Sequence, residues 1–292
     1  MKEIQRVLAA ARPTWAVLAL AGYLLGAGLV RHLGQPLSLS TFSLGCAWTL
    51  LLFLTLGLLE EVFRPTAGQG GSEGAATRRQ RSLNLSLSAL LLIAAGWMAF
   101  LILAQPLPQR PLLFLFSGAI TLLGLACVLP PFQLSRRGWG EFVLTLIIAD
   151  LLPTFGYLLQ ESEPHRFLTY LGLPLTLLTL GFFLVQNFIT FARDEKYGNL
   201  SLLRRMGWPG GLTLHQGCLI AAYVLLFAAP LFGFSLRLLA PLFLAAPFGA
   251  LQVYLLHRLG QGAPARWPVL RALSYAHLGM IYYLLLLRLW LG

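Results

Sequence analysis

The stretch FLTYLGLPLTLLTLGFFLVQNFIT, residues 167–190, decides the fold: its 24 consecutive residues include no Asp, Glu, Lys, Arg or His. As a helix rising ~1.5 Å per residue it extends about 36 Å. That is enough to cross a hydrocarbon core of ~30 Å. Eight further apolar stretches surround it, at residues 13–33, 40–59, 83–104, 111–129, 142–159, 214–234, 236–256 and 269–290. A bilayer offers no water to backbone N–H and C=O groups, so runs of this kind must close their hydrogen bonds as helices. The reading is an all-α polytopic membrane protein with nine transmembrane helices, a single integral-membrane domain over residues 1–292.

Composition and charge agree with this. Hydrophobic residues make up 58% of the chain and charged residues 11%, where soluble domains carry about 25% charged residues. A net charge of +11 raises the question of nucleic acid, but its distribution answers it. Of the 21 Lys and Arg residues, 16 fall at the N-terminus or in the second, fourth, sixth and eighth connections. This is the positive-inside pattern of a membrane protein, so the lipid bilayer is the expected partner and nucleic acid is not. It puts the N-terminus and those four connections on the cytoplasmic side of a cell inner (plasma) membrane. Residues 1–12 carry Ile4, Val7, Leu8 and Ala11 on one face and read as an interfacial helix.

Acidic side chains number only ten, so each position is informative. Glu60 and Glu61 end the second stretch, Glu141 opens the fifth, and Asp194 and Glu195 follow the sixth. Asp150 stands about halfway along the fifth stretch. An ionisable group at that depth costs several kcal/mol unless paired or hydrated, which makes Asp150 a candidate by default. The alternative is a protonated Asp150 bonding between helices near Thr145 or Thr154. On a helix, Asn187, Thr190 and Asp194 share one face, overlapped by Gln186 and Arg193. Glu60 and Arg64 stand at i, i+4 and are expected to pair.

Several motifs carry a resemblance. Arg12-Pro13-Thr14-Trp15 precedes the first span, Gly138-Trp139-Gly140-Glu141 enters the fifth, and Asn187 through Leu202 with Gly207 follows the sixth. Together with nine spans, these are similar to the UbiA superfamily of intramembrane prenyltransferases, its menaquinone branch in particular. The resemblance implies a helical bundle around a lipid-facing cavity. There an isoprenyl diphosphate is held through magnesium by two acidic motifs, and its prenyl group moves to a lipophilic, quinone-precursor-like acceptor. Mapped onto this chain, the metal ligands are Glu60, Glu61, Asp194 and Glu195. The substrate-binding residues are Asn187, Thr190, Lys196, Arg79, Arg81 and Arg136. Asp194, Glu141 and Asp150 are the candidate catalytic residues, with Glu141 or Asp150 orienting or deprotonating the acceptor.

The chain also departs from the family pattern. Thr190 stands where the second motif has its first aspartate, Asn199 replaces its lysine and Ser201 its threonine. In the first motif Glu61 exchanges one carboxylate for another, and Arg64 replaces the last aspartate. With carboxylates lost, a single magnesium ion is expected, and guanidinium groups are candidates to grip diphosphate directly. Two alternatives stay open: a catalytically inactive prenyl-lipid or quinone-binding or scaffolding protein of the same fold, and a small-solute transporter using Asp150.

Overall fold

A computed structural model describes residue 7 and residues 9–64, 75–105, 107 and 110–292. The expected interfacial helix over 1–12 lies largely outside the described residues. Among the described residues, nine helices long and apolar enough to cross a membrane follow one another. They are α1 (Pro13–His32), α2 (Leu39–Val62), α3 (Ala75–Ala104) and α4 (Arg110–Val128). Then come α5 (Gly140–Leu158), α6 (Arg166–Lys196), α7 (Leu202–Phe227), α8 (Leu236–Gly260) and α9 (Trp267–Leu291). Among the described residues no strand forms; an isolated bridge joins Arg137 to Leu200.

The bundle closes by packing α9 against α1, with α6 touching α5, α7 and α9. One apolar core draws residues from all nine helices. Burial divides the helices: the apolar window of α6 is 72% buried, that of α3 only 17%. The outward faces remain apolar, with Ile93, Leu122, Phe114 and Ile220 exposed. An apolar exterior is what a bilayer selects, since its tails give no reason to hide such groups.

Where the core is tightest, glycines permit it. Gly22 and Gly26 on α1 lie against the carbonyls of Ile148 and Pro153, and Gly156 lies against that of Tyr23. A Cβ at any of these would collide with backbone, so α1 and α5 meet backbone to backbone in the manner of small-residue membrane contacts. In α5 the residues Ile147–Leu151 form one π-helical turn. Pro153 follows one residue later and has no N–H for the regular ladder, which the wider turn accommodates.

Several helix ends differ from the apolar stretches, and two of them bear on the site. α6 continues to Lys196, past the last apolar residue, because its Gln186–Asp194 stripe finds partners inside the bundle. α7 begins at Leu202 rather than near 214, broken at Gly207 (φ 74°), with Pro209 in the turn that follows. Its first turns are basic and amphipathic, so hydropathy alone does not show them. A buried polar set also links α7, α8 and α9. Tyr223 Oη and His277 Nε2 lie 2.8 Å apart, and Gln252 donates to the Leu273 carbonyl at 3.1 Å.

Candidate functional site

At the basic end of the bundle, a cavity of about 370 Å³ opens between the start of α1 and the end of α2 on one side. The start of α5, the end of α6 and the turn before α7 form the other side. Its walls include Arg12, Trp15, Glu60, Arg64, Glu141, Phe182, Asn187, Thr190, Arg193 and Asp194.

Local backbone rules explain why these side chains converge. Arg12 sits in the left-handed region (φ 47°) and Pro13 opens α1, where its missing N–H costs nothing. Gly57 lies directly against the backbone of Ala11, a closeness no side chain permits. That contact carries Arg12 to the end of α2, where its Nη2 stands 2.5 Å from Glu60 Oε2. Arg12 also lies over the Trp15 ring, 4.6 Å from its centroid, a favourable cation–π placement.

The end of α6 closes by a similar logic. Gly198 takes the left-handed conformation (φ 67°), and Asn199 N–H returns to the Asp194 carbonyl at 2.8 Å. The accompanying Gly198 N–H to Glu195 carbonyl bond completes a Schellman cap. The turn folds Asn199 back over Asp194, donating from Nδ2 to Oδ1 at 3.1 Å. Thr190, one turn earlier, donates to the other oxygen, Oδ2, at 2.9 Å. Arg204 clasps the turn from outside, donating to the Asp194 and Asn199 carbonyls at 3.0 and 2.8 Å.

Glu141 stands in the first turn of α5, where the helix N-terminus favours an anion. Its Oε1 accepts from Asn187 Nδ2 at 2.7 Å and from the first N–H of α7, Leu202, at 3.3 Å. Glu141 therefore caps α7 in place of Ser201, whose hydroxyl is left unpartnered and 2% exposed. The second carboxylate oxygen, Oε2, is buried on the cavity wall with no partner among the described residues.

The residues expected from the sequence fall into two groups. Glu60, Glu141, Asn187, Thr190 and Asp194 line one cavity. Glu61 does not: it faces Arg64, whose Nη1 is 2.9 Å away, while the expected Arg64–Glu60 pair is looser at 3.8 Å. Glu195 and Lys196 are exposed beyond the cap, Lys196 lying over the Tyr197 ring. Arg79 and Arg81 are exposed on the first turns of α3, outside the cavity lining. Arg136 is half-buried beside it, within the electrostatic reach of Glu60, Glu61, Arg64 and Arg12. Asp150 packs on Gly172 of α6, away from the lining. Nine helical residues separate it from Glu141, about 14 Å along the axis.

The sequence did not point to the ion pair of Arg12, the aromatic wall of Trp15, Phe182, Phe183 and Tyr275, or the free hydroxyl of Ser135, and it marked Ser201 only as a departure from the family motif. The Arg-Pro opening was the available signal for Arg12. Nothing local distinguished Ser135, which reaches the wall because Gly140 leaves room beside it.

The residues present do not fit the magnesium that the resemblance implies. Among the described residues no three His, Cys, Asp or Glu side chains gather as an ion-binding set. Glu60 is held by Arg12, Glu61 by Arg64, and Asp194 already accepts on both oxygens.

Neither a protein-family profile nor a curated relative matches the sequence. Solved structures do. A structure of digeranylgeranylglyceryl phosphate synthase aligns with 100% of this chain and 99% of its own, at 16% identity and a TM-score of 0.62. A UbiA homologue from Archaeoglobus fulgidus, solved bound to GPP and Mg2+, aligns with 96% of this chain and 99% of its own, at 12% identity and a TM-score of 0.63. The chain has the fold of these UbiA proteins.

Proposed function

We propose that this protein is a membrane prenyltransferase of the UbiA type, taking an isoprenyl diphosphate and a lipophilic, quinone-precursor-like acceptor. Its basic end faces the cytoplasm of the inner membrane, as the distribution of Lys and Arg favours. One observation carries the reading: the cavity joins an ionic rim to an aromatic wall. Arg12, Arg64 and Arg193 share the lining with Trp15, Phe182, Phe183 and Tyr275, Arg12 lying over the Trp15 ring. That pairing suits a ligand with an anionic head and an isoprenoid body.

The chemistry follows from the same combination. The allylic C1–O bond breaks and its electron pair leaves on the diphosphate, whose charge the guanidinium groups offset. Positive charge then develops on the prenyl carbon, which aromatic faces stabilise and a water-poor chamber protects. The acceptor supplies the electron pair of the new bond to C1 and loses a proton. Glu141 Oε2 is the group disposed to take that proton, with Asn187 holding Oε1 in place. Asp194 serves as a positioning residue that locks the Thr190–Asn199 turn on the cavity wall.

The test is turnover of a radiolabelled isoprenyl diphosphate by purified protein with a panel of lipophilic phenols and quinone precursors. Glu141→Gln keeps the Asn187 contact and removes the base, so turnover falls at least ~100-fold while diphosphate affinity holds. A second reading, a prenyl-lipid-binding protein without catalysis, is favoured by the capture of Glu60 and Glu61 by arginines. Tight binding with no turnover across the panel selects it.

A further inference from the structure

We infer that the diphosphate is held by guanidinium groups alone, without a divalent cation, and that Arg193 and Arg136 form this grip. The inference rests on the reading of the cavity as an isoprenyl diphosphate site and says how that site takes its charge.

Divalent cations serve diphosphates by linking phosphate oxygens to protein carboxylates, so the carboxylates must be available. Here, among the described residues, only Glu141 Oε2 on the lining is left as an open carboxylate oxygen beside the engaged Glu60, Glu61 and Asp194. Arg12 closes on Glu60 at 2.5 Å, Arg64 on Glu61 at 2.9 Å, and Thr190 and Asn199 each donate to an oxygen of Asp194. Glu141 gives one oxygen to Asn187 and Leu202.

The cations are in the opposite condition. Arg193 lines the cavity, and its guanidinium makes no hydrogen bond or ion pair with a described residue. The Arg136 guanidinium likewise has no hydrogen-bond or ion-pair partner among the described residues, although it lies in the field of Glu60, Glu61, Arg64 and Arg12. On or beside the cavity, Arg12, Arg64, Arg136, Arg193 and Arg204 number five against the four carboxylates Glu60, Glu61, Glu141 and Asp194. Planar guanidinium forks match phosphate oxygens in pairs, which an ammonium does not. The buried, unpartnered hydroxyl of Ser201 adds a neutral donor on the same wall.

The experiment is equilibrium binding of a radiolabelled isoprenyl diphosphate to the full chain in detergent. It is run in excess EDTA and in millimolar magnesium, with inorganic pyrophosphate as competitor. The expected result is binding in EDTA within about threefold of that in magnesium. Arg193→Ala and Arg136→Ala each weaken it by about tenfold or more in EDTA, and Arg193→Lys recovers only part, since it cannot bridge two oxygens. Thermal unfolding of each variant verifies that the bundle is intact. Binding that disappears in EDTA and returns with magnesium overturns the guanidinium grip and leaves the prenyltransferase reading standing. Binding in EDTA that both alanine variants leave unchanged overturns the assignment to these arginines. No binding under either condition overturns the reading of the cavity itself.

Discussion

The contact between Arg12 and Glu60 provides the sharpest test of how the site is built. Replacing Arg12 with Leu leaves the Glu60 carboxylate, whose side chain is 10% exposed, facing a wall that no longer compensates it. At 2.5 Å the raw attraction is on the order of 6–7 kcal/mol for an effective dielectric of ~20. Desolvation of both ions cancels much of that, so breaking a fully buried pair costs about 3–5 kcal/mol. Arg12 keeps 29% of its side-chain surface and Arg64 stays within 3.8 Å of Glu60, which lowers the expected loss to about 2–3 kcal/mol. The double variant Arg12→Leu/Glu60→Leu removes both charges and recovers most of the loss, a coupling of about 1.5–2 kcal/mol. Reversible unfolding in mixed detergent, followed by far-ultraviolet circular dichroism, measures all three variants. Additive losses in the double variant would refute the pairing and return Glu60 to the pool of available ligands.

Packing and capping give two further expectations. Gly26→Leu drives a side chain into the Pro153 carbonyl and costs at least ~2 kcal/mol, whereas Gly96→Ala and Gly118→Ala meet nothing within 4 Å and gain up to ~1 kcal/mol from helix propensity; equal effects in the same unfolding assay would sink the backbone-contact account. His165 Nδ1 accepts from Phe167 N–H at 3.1 Å, and burial, then Arg166, holds its pKa below the ordinary value. The neutral form is therefore the folded form, so its stabilisation is present above the unfolded pKa of ~6.5 and lost as pH falls through the lower folded value. The unfolding midpoint should fall slightly between pH 7 and pH 5 in the native chain, solvent screening keeping the effect small, and fall less in His165→Asn.

Much of the architecture was legible before any coordinates. Uncharged runs such as 167–190 have one solution in a bilayer, and α6 follows from that constraint. The face shared by Asn187, Thr190 and Asp194 needed only helical spacing, and all three line the cavity. Helix ends were less legible. Leu202–Trp208 is basic and contains Gly207, so hydropathy reads a loop where the chain forms turns of α7. Asp150 shows a different limit: its depth made it a candidate, but its direction depends on how α5 packs on Gly172.

The sequence by itself determined the number of spans, the all-α class and the polar face of α6. These follow from local rules: backbone satisfaction in lipid and the helical repeat. Only the tertiary structure decided which charges meet. Arg12 reaches Glu60 because Gly57 admits Ala11, Asn199 covers Asp194 because Gly198 turns the chain, and Asn187 holds Glu141 across two helices. Charge pairing depends on separations of a few ångströms between distant segments. No local pattern encodes those, and packing of the whole bundle sets them.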